Sequence, residues 1–352
     1  MSNKFSDFLS SFGLMILGVF LLLVGSVTFS HATPARPLAA VAGIKMVASG
    51  TVPTIRLSES SGGDNVLPPS LPLHPEIPLA TTNTPFEGGL SAAAAIVVDD
   101  KTNAPLFELN SAVPRPLASI TKLMTALVLQ GLPINWASTT VVEQDDIDPG
   151  SHSVSAGERF TLEDLWHVAL VGSSNSAINA LVRASGLSEE AFVTKMNSQV
   201  EEWRLRTLHF VEPTGLSPQN VGSASDVVRL LQRALQNDKI YSALQIGEYY
   251  AHPIGSKQAR RVWSTDWLLN NWVPNNFDKE NIVGKTGYIA ESGYNFAVRL
   301  ADDNHRAVRV VVLGTDSNTA RFSEARDLAE WVLTHYRWPS DHGYLNLAND
   351  VE

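Results

Sequence analysis

The chain has 352 residues, a formal net charge of −10 and 44% hydrophobic residues, enough apolar material for one large or two small globular cores. It contains no cysteine, which excludes thiol catalysis, disulfides and cysteine-ligated zinc. No basic run exists to neutralise phosphates, so nucleic acid is not an expected partner.

The nine histidines form no metal-ligand spacing, and there is no Gly-x-Ser-x-Gly elbow, Walker loop or dinucleotide fingerprint. Neither a metal nor a cofactor is expected.

Phe12 to Phe29 is an uncharged, mostly apolar run of 18 residues behind Lys4, followed by the small-x-small pattern Ser30-His31-Ala32. Residues 1–32 therefore read as an export signal, cleaved or retained as an N-terminal membrane anchor through residues 12–29. Its length lies between a signal core and a membrane span; Gly25, Ser26 and Thr28 favour the cleaved form. Residues 33–88 hold nine of the 19 prolines among many Ser, Thr and Gly, and read as a disordered linker.

A folded domain is expected over residues 89–338, with an acidic tail at 339–352 carrying Asp341, Asp350 and Glu352. Residues 94–98 and 105–109 predict a strand pair around the turn 99–103. Ser119 to Gln130 predicts a buried helix that stops at Gly131. Thr161 to Asp164 resembles a capping box and opens a helix through Leu170. After a break at 172–175, helices are predicted over Ala177 to Ala184, from a Ser188 cap to Trp203, and from a Ser223 cap to Gln236. Residues 207–211 read as a short strand. Strand-period alternation covers 281–288, 294–301 and 306–314, with 302–305 as a hairpin turn. A final helix, 319–336, carries Phe322, Ala325, Leu328, Ala329 and Val332 on one face.

Three short motifs carry chemistry. Ser119 and Lys122 stand three apart at a helix start, so they share a face. Serine needs a base within hydrogen-bond reach, and lysine serves as one only where its pKa is depressed. Ser173-Ser174-Asn175 lies in the break between two helices, where a hydroxyl and an amide can project into a cleft. Lys285-Thr286-Gly287 lies within a strand, where glycine marks close approach of another backbone. Taken singly, these motifs read first as a helix cap with a solvated lysine, a capping turn and a solvated edge lysine, and only partners elsewhere decide.

Their conjunction in this order resembles the penicillin-recognising serine enzymes. The words around them, residues 118–126 (ASITKLMTA), 209–217 (HFVEPTGLS) and 283–288 (VGKTGY), are similar to the low-molecular-mass D-alanyl-D-alanine carboxypeptidase/endopeptidase family over about residues 90–338. The resemblance implies an α+β fold of the serine β-lactamase/DD-peptidase type: an antiparallel sheet of about five strands flanked by helices, plus a helical lobe. It implies Ser119 as nucleophile towards the D-Ala carbonyl, Lys122 as base, Ser173 as proton relay and Asn175 as a holder of Lys122 and a substrate amide. It further implies Lys285 as a source of positive potential, Thr286 as carboxylate binder, Gly287 as room for substrate along the strand, and the amides of Ser119 and Tyr288 as the oxyanion hole. Peptidoglycan stem peptides would be the substrate, β-lactams inhibitors, and the periplasm the place of action.

Ser264-Thr265-Asp266 stands where the family pattern has an Asn-Thr-Asn-like segment, which bears on one wall of the groove. No second sandwich domain or basic amphipathic helix is expected after residue 338, which suits the shorter, endopeptidase-like members. Cross-link cleavage is the expected activity, with D-Ala-D-Ala carboxypeptidase as the alternative. A β-lactamase would need a deacylating glutamate, and Glu212 stands about there in different wording. A non-catalytic penicillin-binding sensor would not need every reactive side chain that this sequence retains.

Overall fold

In the computed structural model, residues 77–82, 84–150 and 153–344 are described, and the apolar run at 12–29 lies outside them. Among the described residues no helix is long and apolar enough to cross a membrane.

In chain order the elements begin with strands β1 (Leu79–Ala80), β2 (Ala94–Asp99), β3 (Pro105–Leu109) and β4 (Arg115–Pro116). A 3-10 turn, Ala118–Thr121, then runs into helix α1 (Lys122–Gln130), followed by β5 (Thr139–Val141) and β6 (Arg159–Thr161). The helical middle comprises α2 (Leu162–Val171), α3 (Asn175–Ala184) and α4 (Glu189–Glu202), then β7 (Val221–Gly222), α5 (Ala224–Leu235) and α6 (Asp238–Leu244). The last third holds β8 (Glu248–Ala251), β9 (Arg260–Trp263), β10 (Ile282–Ile289), β11 (Gly293–Ala301), β12 (Ala307–Thr315), α7 (Ala320–His335) and β13 (Tyr336–Arg337).

The period-two pattern builds one antiparallel five-stranded sheet of order β10-β11-β12-β2-β3, so the first hairpin joins the last three strands. Both faces are buried. Ala94, Ile96 and Val98 of β2 and Val311 and Leu313 of β12 pack towards α1, α2, α3 and α5. Ala95 and Val97 of β2 and Val308, Val310 and Val312 of β12 pack on Phe322, Ala325, Leu328, Ala329 and Val332 of α7. Alternation here sorts residues between two cores rather than between core and water. Strand β10 is left as a free edge.

The predicted caps hold their helices. Thr161 Oγ1 accepts from Asp164 N at 3.0 Å, Ser188 Oγ from Ala191 N at 3.2 Å, and Ser223 Oγ from Asp226 N at 3.2 Å. Helix α3 starts two residues before the expected Ala177, because Ser174 Oγ accepts from Ala177 N at 3.3 Å and so makes Asn175 the first helical residue.

Three expectations are corrected. Residues 207–211 form only a single bridge, His209 to Val221, because Asp226 takes the Thr207 amide at 2.8 Å and turns the backbone away. The linker reading of 33–88 fails at its C-terminal end. β1 pairs with β13, and the Phe86 ring packs edge-on against Phe107 and Trp331 at 5.9 Å. The tail reading fails up to residue 344, where Tyr344 Oη donates to Ile77 O at 2.7 Å and Arg306 reaches Asp341 at 3.3 Å. In both segments a few aromatic and apolar side chains find partners that average composition hides.

Candidate active site

Ser119 sits on the 3-10 turn rather than on α1 itself, and the turn is pinned from three sides. Asn295 of β11 donates through Nδ2 to Pro116 O at 3.0 Å and Leu117 O at 3.1 Å. Thr125 Oγ1 donates to Pro213 O at 2.6 Å, and Asn220 Nδ2 to Thr121 Oγ1 at 3.2 Å. This support holds Ala118 in the left-handed region at φ +50°, a conformation that costs a non-glycine residue about 1–2 kcal/mol. Ser173 is held likewise at φ +58° in the α2–α3 break.

Lys122 is fully buried. Its Nζ donates to Ser119 Oγ at 2.8 Å, Asn175 Oδ1 at 2.5 Å and Thr214 O at 2.7 Å, one acceptor for each N–H of an ammonium. Burial nevertheless drives its pKa down from 10.5 to about 7, against the opposing pull of Glu212 and Asp148. Asn175 is oriented in turn, its Nδ2 donating to Asp148 Oδ2 at 2.7 Å.

Lys285, also buried, donates to Ser173 Oγ at 2.7 Å and to Thr286 O at 3.0 Å. Its pKa lies well below the usual lysine value, pushed there by burial, then by the charges of Lys122 and Arg321, and opposed by Asp266. Thr286 Oγ1 shares a hydrogen bond of 2.6 Å with Thr265 Oγ1, so the departing segment 264–266 does form the wall beside the Lys-Thr-Gly strand. A Cβ at Gly287 would lie 2.7 Å from Leu117 O and 3.1 Å from Ser119 N. The strand thus lies against the backbone of the Ser119 turn, the close approach that a glycine within a strand led us to expect. Tyr288, half exposed, stacks on Tyr294 at 4.3 Å.

All eight residues singled out by the sequence thus lie on this framework. Two contributors, Asp148 and Arg321, escaped it, and a third, Glu212, has a structural part that its sequence word did not show. Asp148 holds Asn175 from a polar loop without helical or strand period. Arg321 of α7 donates to Gly287 O at 3.0 Å, and burial lowers its pKa only to about 10, so it stays charged behind β10. Glu212 ties its loop together: its oxygens accept from the amides of Thr214 at 2.6 Å and Gly215 at 2.7 Å and from Asn220 Nδ2 at 2.7 Å. The short motif words carried the sequence signal, whereas Asp148 and Arg321 act on residues 27 and 34 positions away and Glu212 acts within its own loop. Among the described residues no three His, Asp or Glu converge in a metal-binding arrangement.

A family model described as D-alanyl-D-alanine carboxypeptidase matches residues 80–317. The D-alanyl-D-alanine endopeptidase of Pseudomonas aeruginosa is 30% identical over 71% of this chain and 80% of its own. That of Escherichia coli is 28% identical over 72% and 81% respectively. Other relatives bear the name D-alanyl-D-alanine carboxypeptidase. The crystal structure of a Streptomyces DD-transpeptidase superposes with a TM-score of 0.64 at 20% identity, over 70% of this chain and 98% of that one, and so shares the fold. With the family model spanning the sheet, the helical lobe and all three motifs, the chain belongs to the D-alanyl-D-alanine carboxypeptidase family of serine DD-peptidases.

Proposed function

We propose that this enzyme hydrolyses the D-Ala–diaminopimelate cross-links between peptidoglycan stem peptides through an acyl-enzyme on Ser119. The observation that carries the chemistry is the set of partners around Lys122. A neutral amine has two N–H groups and one lone pair. Asn175 Oδ1 and Thr214 O only accept, so they take the two N–H groups and leave the lone pair for the hydroxyl of Ser119.

Lys122 takes the Ser119 proton as Oγ bonds to the D-Ala carbonyl carbon, and the carbonyl electrons move onto oxygen. The amides of Ser119 and Tyr288 hold that oxyanion, each such donor being worth about 3 kcal/mol. Collapse breaks the C–N bond, and the departing nitrogen receives the proton that Lys122 took, relayed through the Ser173 hydroxyl, which leaves Lys122 neutral. Water then attacks the ester with Lys122 again as base, freeing Ser119. The substrate carboxylate sits at Thr286, and its charge restores the proton affinity of Lys285 that burial suppresses. The free edge of β10 suits an extended peptide added as a strand.

Cross-link cleavage, rather than release of terminal D-Ala, is supported by the relatives named endopeptidase and by the altered wall at 264–266 against Thr286. β-Lactams would acylate the same serine. We read residues 1–32 as the export signal or anchor that brings the enzyme to the periplasmic wall. Chromatography of muropeptides after incubation tests the preference: cross-linked dimers are expected to fall to monomers. Loss of D-Ala from pentapeptide monomers while dimers persist would make the enzyme a carboxypeptidase.

A further inference from the structure

Asp148 lies in the loop between β5 and β6, apart from all three motifs, and makes two contacts with the start of α3. Its amide donates to Ser176 Oγ at 2.9 Å, and its Oδ2 accepts from Asn175 Nδ2 at 2.7 Å. Its other oxygen accepts from Gly150 N at 3.1 Å.

We infer that Asp148 is a positioning residue: by fixing the orientation of the Asn175 amide it decides which proton the lone pair of Lys122 faces. An ionised carboxylate only accepts, so Asn175 must turn its NH2 group towards Asp148. The carbonyl end then faces Lys122 Nζ at 2.5 Å and takes one of its hydrogens. With the amide reversed, Asn175 would set its carbonyl against the carboxylate and aim an N–H at the Lys122 lone pair. That N–H would compete with the Ser119 hydroxyl for the base. The charge of Asp148 also acts on Lys122, raising its pKa against burial as Glu212 does, while Lys285 and Lys122 face each other as like charges. Glu212 is already committed to the amides of its own loop, which leaves Asp148 as the carboxylate that orients Asn175.

The inference rests on the proposed roles of Ser119 and Lys122. The test measures the rate of penicillin acylation against pH for the wild type, Asp148→Ala, Asp148→Asn, Asn175→Ala and the double variant Asp148→Ala/Asn175→Ala, with thermal unfolding as a check on folding. Asp148→Ala should slow acylation roughly tenfold at pH 8, the equivalent of one lost hydrogen bond to a charged group. In the Asn175→Ala background the same change should cost nothing further, because its route is gone. Asp148→Asn keeps an acceptor for Asn175 and loses the charge, so it should recover most of the rate and move the acid limb to lower pH. Wild-type rates in Asp148→Ala, an equal loss with and without Asn175, or an unshifted limb in Asp148→Asn would each overturn the inference. Should Asp148→Ala fail to fold, Asp148→Ser, whose hydroxyl is too short to hold Asn175, takes its place in the same comparison with and without Asn175. Absence of any wild-type adduct on Ser119 would instead remove the proposed function beneath it.

Discussion

At the scale of single residues the site is built on a buried lysine that is costly to charge. Lys122 must be neutral to take a proton, so acylation should fall about tenfold per pH unit below an acid limb near pH 7. Stability should follow the same group. The folded pKa is below the unfolded value, so between pH 7 and 10.5 the unfolded chain binds more protons at this position and stability rises with pH. Below pH 7 both states are protonated and the full penalty of burying the charge persists. A Lys122→Met variant lacks this term. Measured by denaturant unfolding, the wild type should gain on that variant from pH 7 towards 10.5; a constant difference across that range would show that Lys122 is not depressed.

At the scale of elements, two short segments do what no regular helix or strand could. The 3-10 turn under Ser119 is wedged between β10 and the loop 212–217. A Cβ at Gly215, where φ is +94°, would stand 2.0 Å from Ala118 O. Glu212 organises that loop, and with its oxygens spent on amides and on the Thr214 hydroxyl at 2.5 Å it has no capacity left to activate water. Glu212→Gln turns an NH2 group against backbone donors and should cost about 2 kcal/mol of stability without lengthening the life of the penicilloyl-enzyme. A much longer-lived adduct in that variant would mean that Glu212 is a deacylating base, as in a β-lactamase.

The legible elements were those with period or caps. Alternation exposed β10 to β12, and Thr161, Ser188 and Ser223 announced α2, α4 and α5. Helix α6 and the ribbon of β8 and β9 were missed, although Asn237 caps α6 by accepting from Lys239 N and Ile240 N, each at 3.1 Å. Seven residues give too little period to stand out, and the ribbon pairs only four residues a side. The motif residues were legible because each recurs in a short word. Asp148 and Arg321 were not, since only the folded chain brings them to Asn175 and Gly287.

For the molecule as a whole, the site lies on the seam between the helical lobe and the free edge of the sheet. Lys285 reaches Ser173 across 112 residues of sequence, and Lys122 reaches Thr214 across 92. Contacts of that range form only when both parts are packed. Residues 77–82 and 84–88 belong to this packing, since Phe86 covers Phe107 and Trp331 and β1 clasps β13. A chain cut to begin at residue 89 should therefore be less stable than one beginning at 77 by about 2 kcal/mol, the order of burying one large aromatic side chain. Equal unfolding midpoints would show that the clasp contributes nothing.

The central claim is that Ser119 is the acylated nucleophile. Intact-mass analysis of the wild type and of Ser119→Ala after exposure to penicillin, with peptide mapping of the adduct, tests it most directly. The account predicts a single adduct on the wild type, carried by Ser119, and none on Ser119→Ala. An adduct on the alanine variant, or one mapped to another residue, would contradict it.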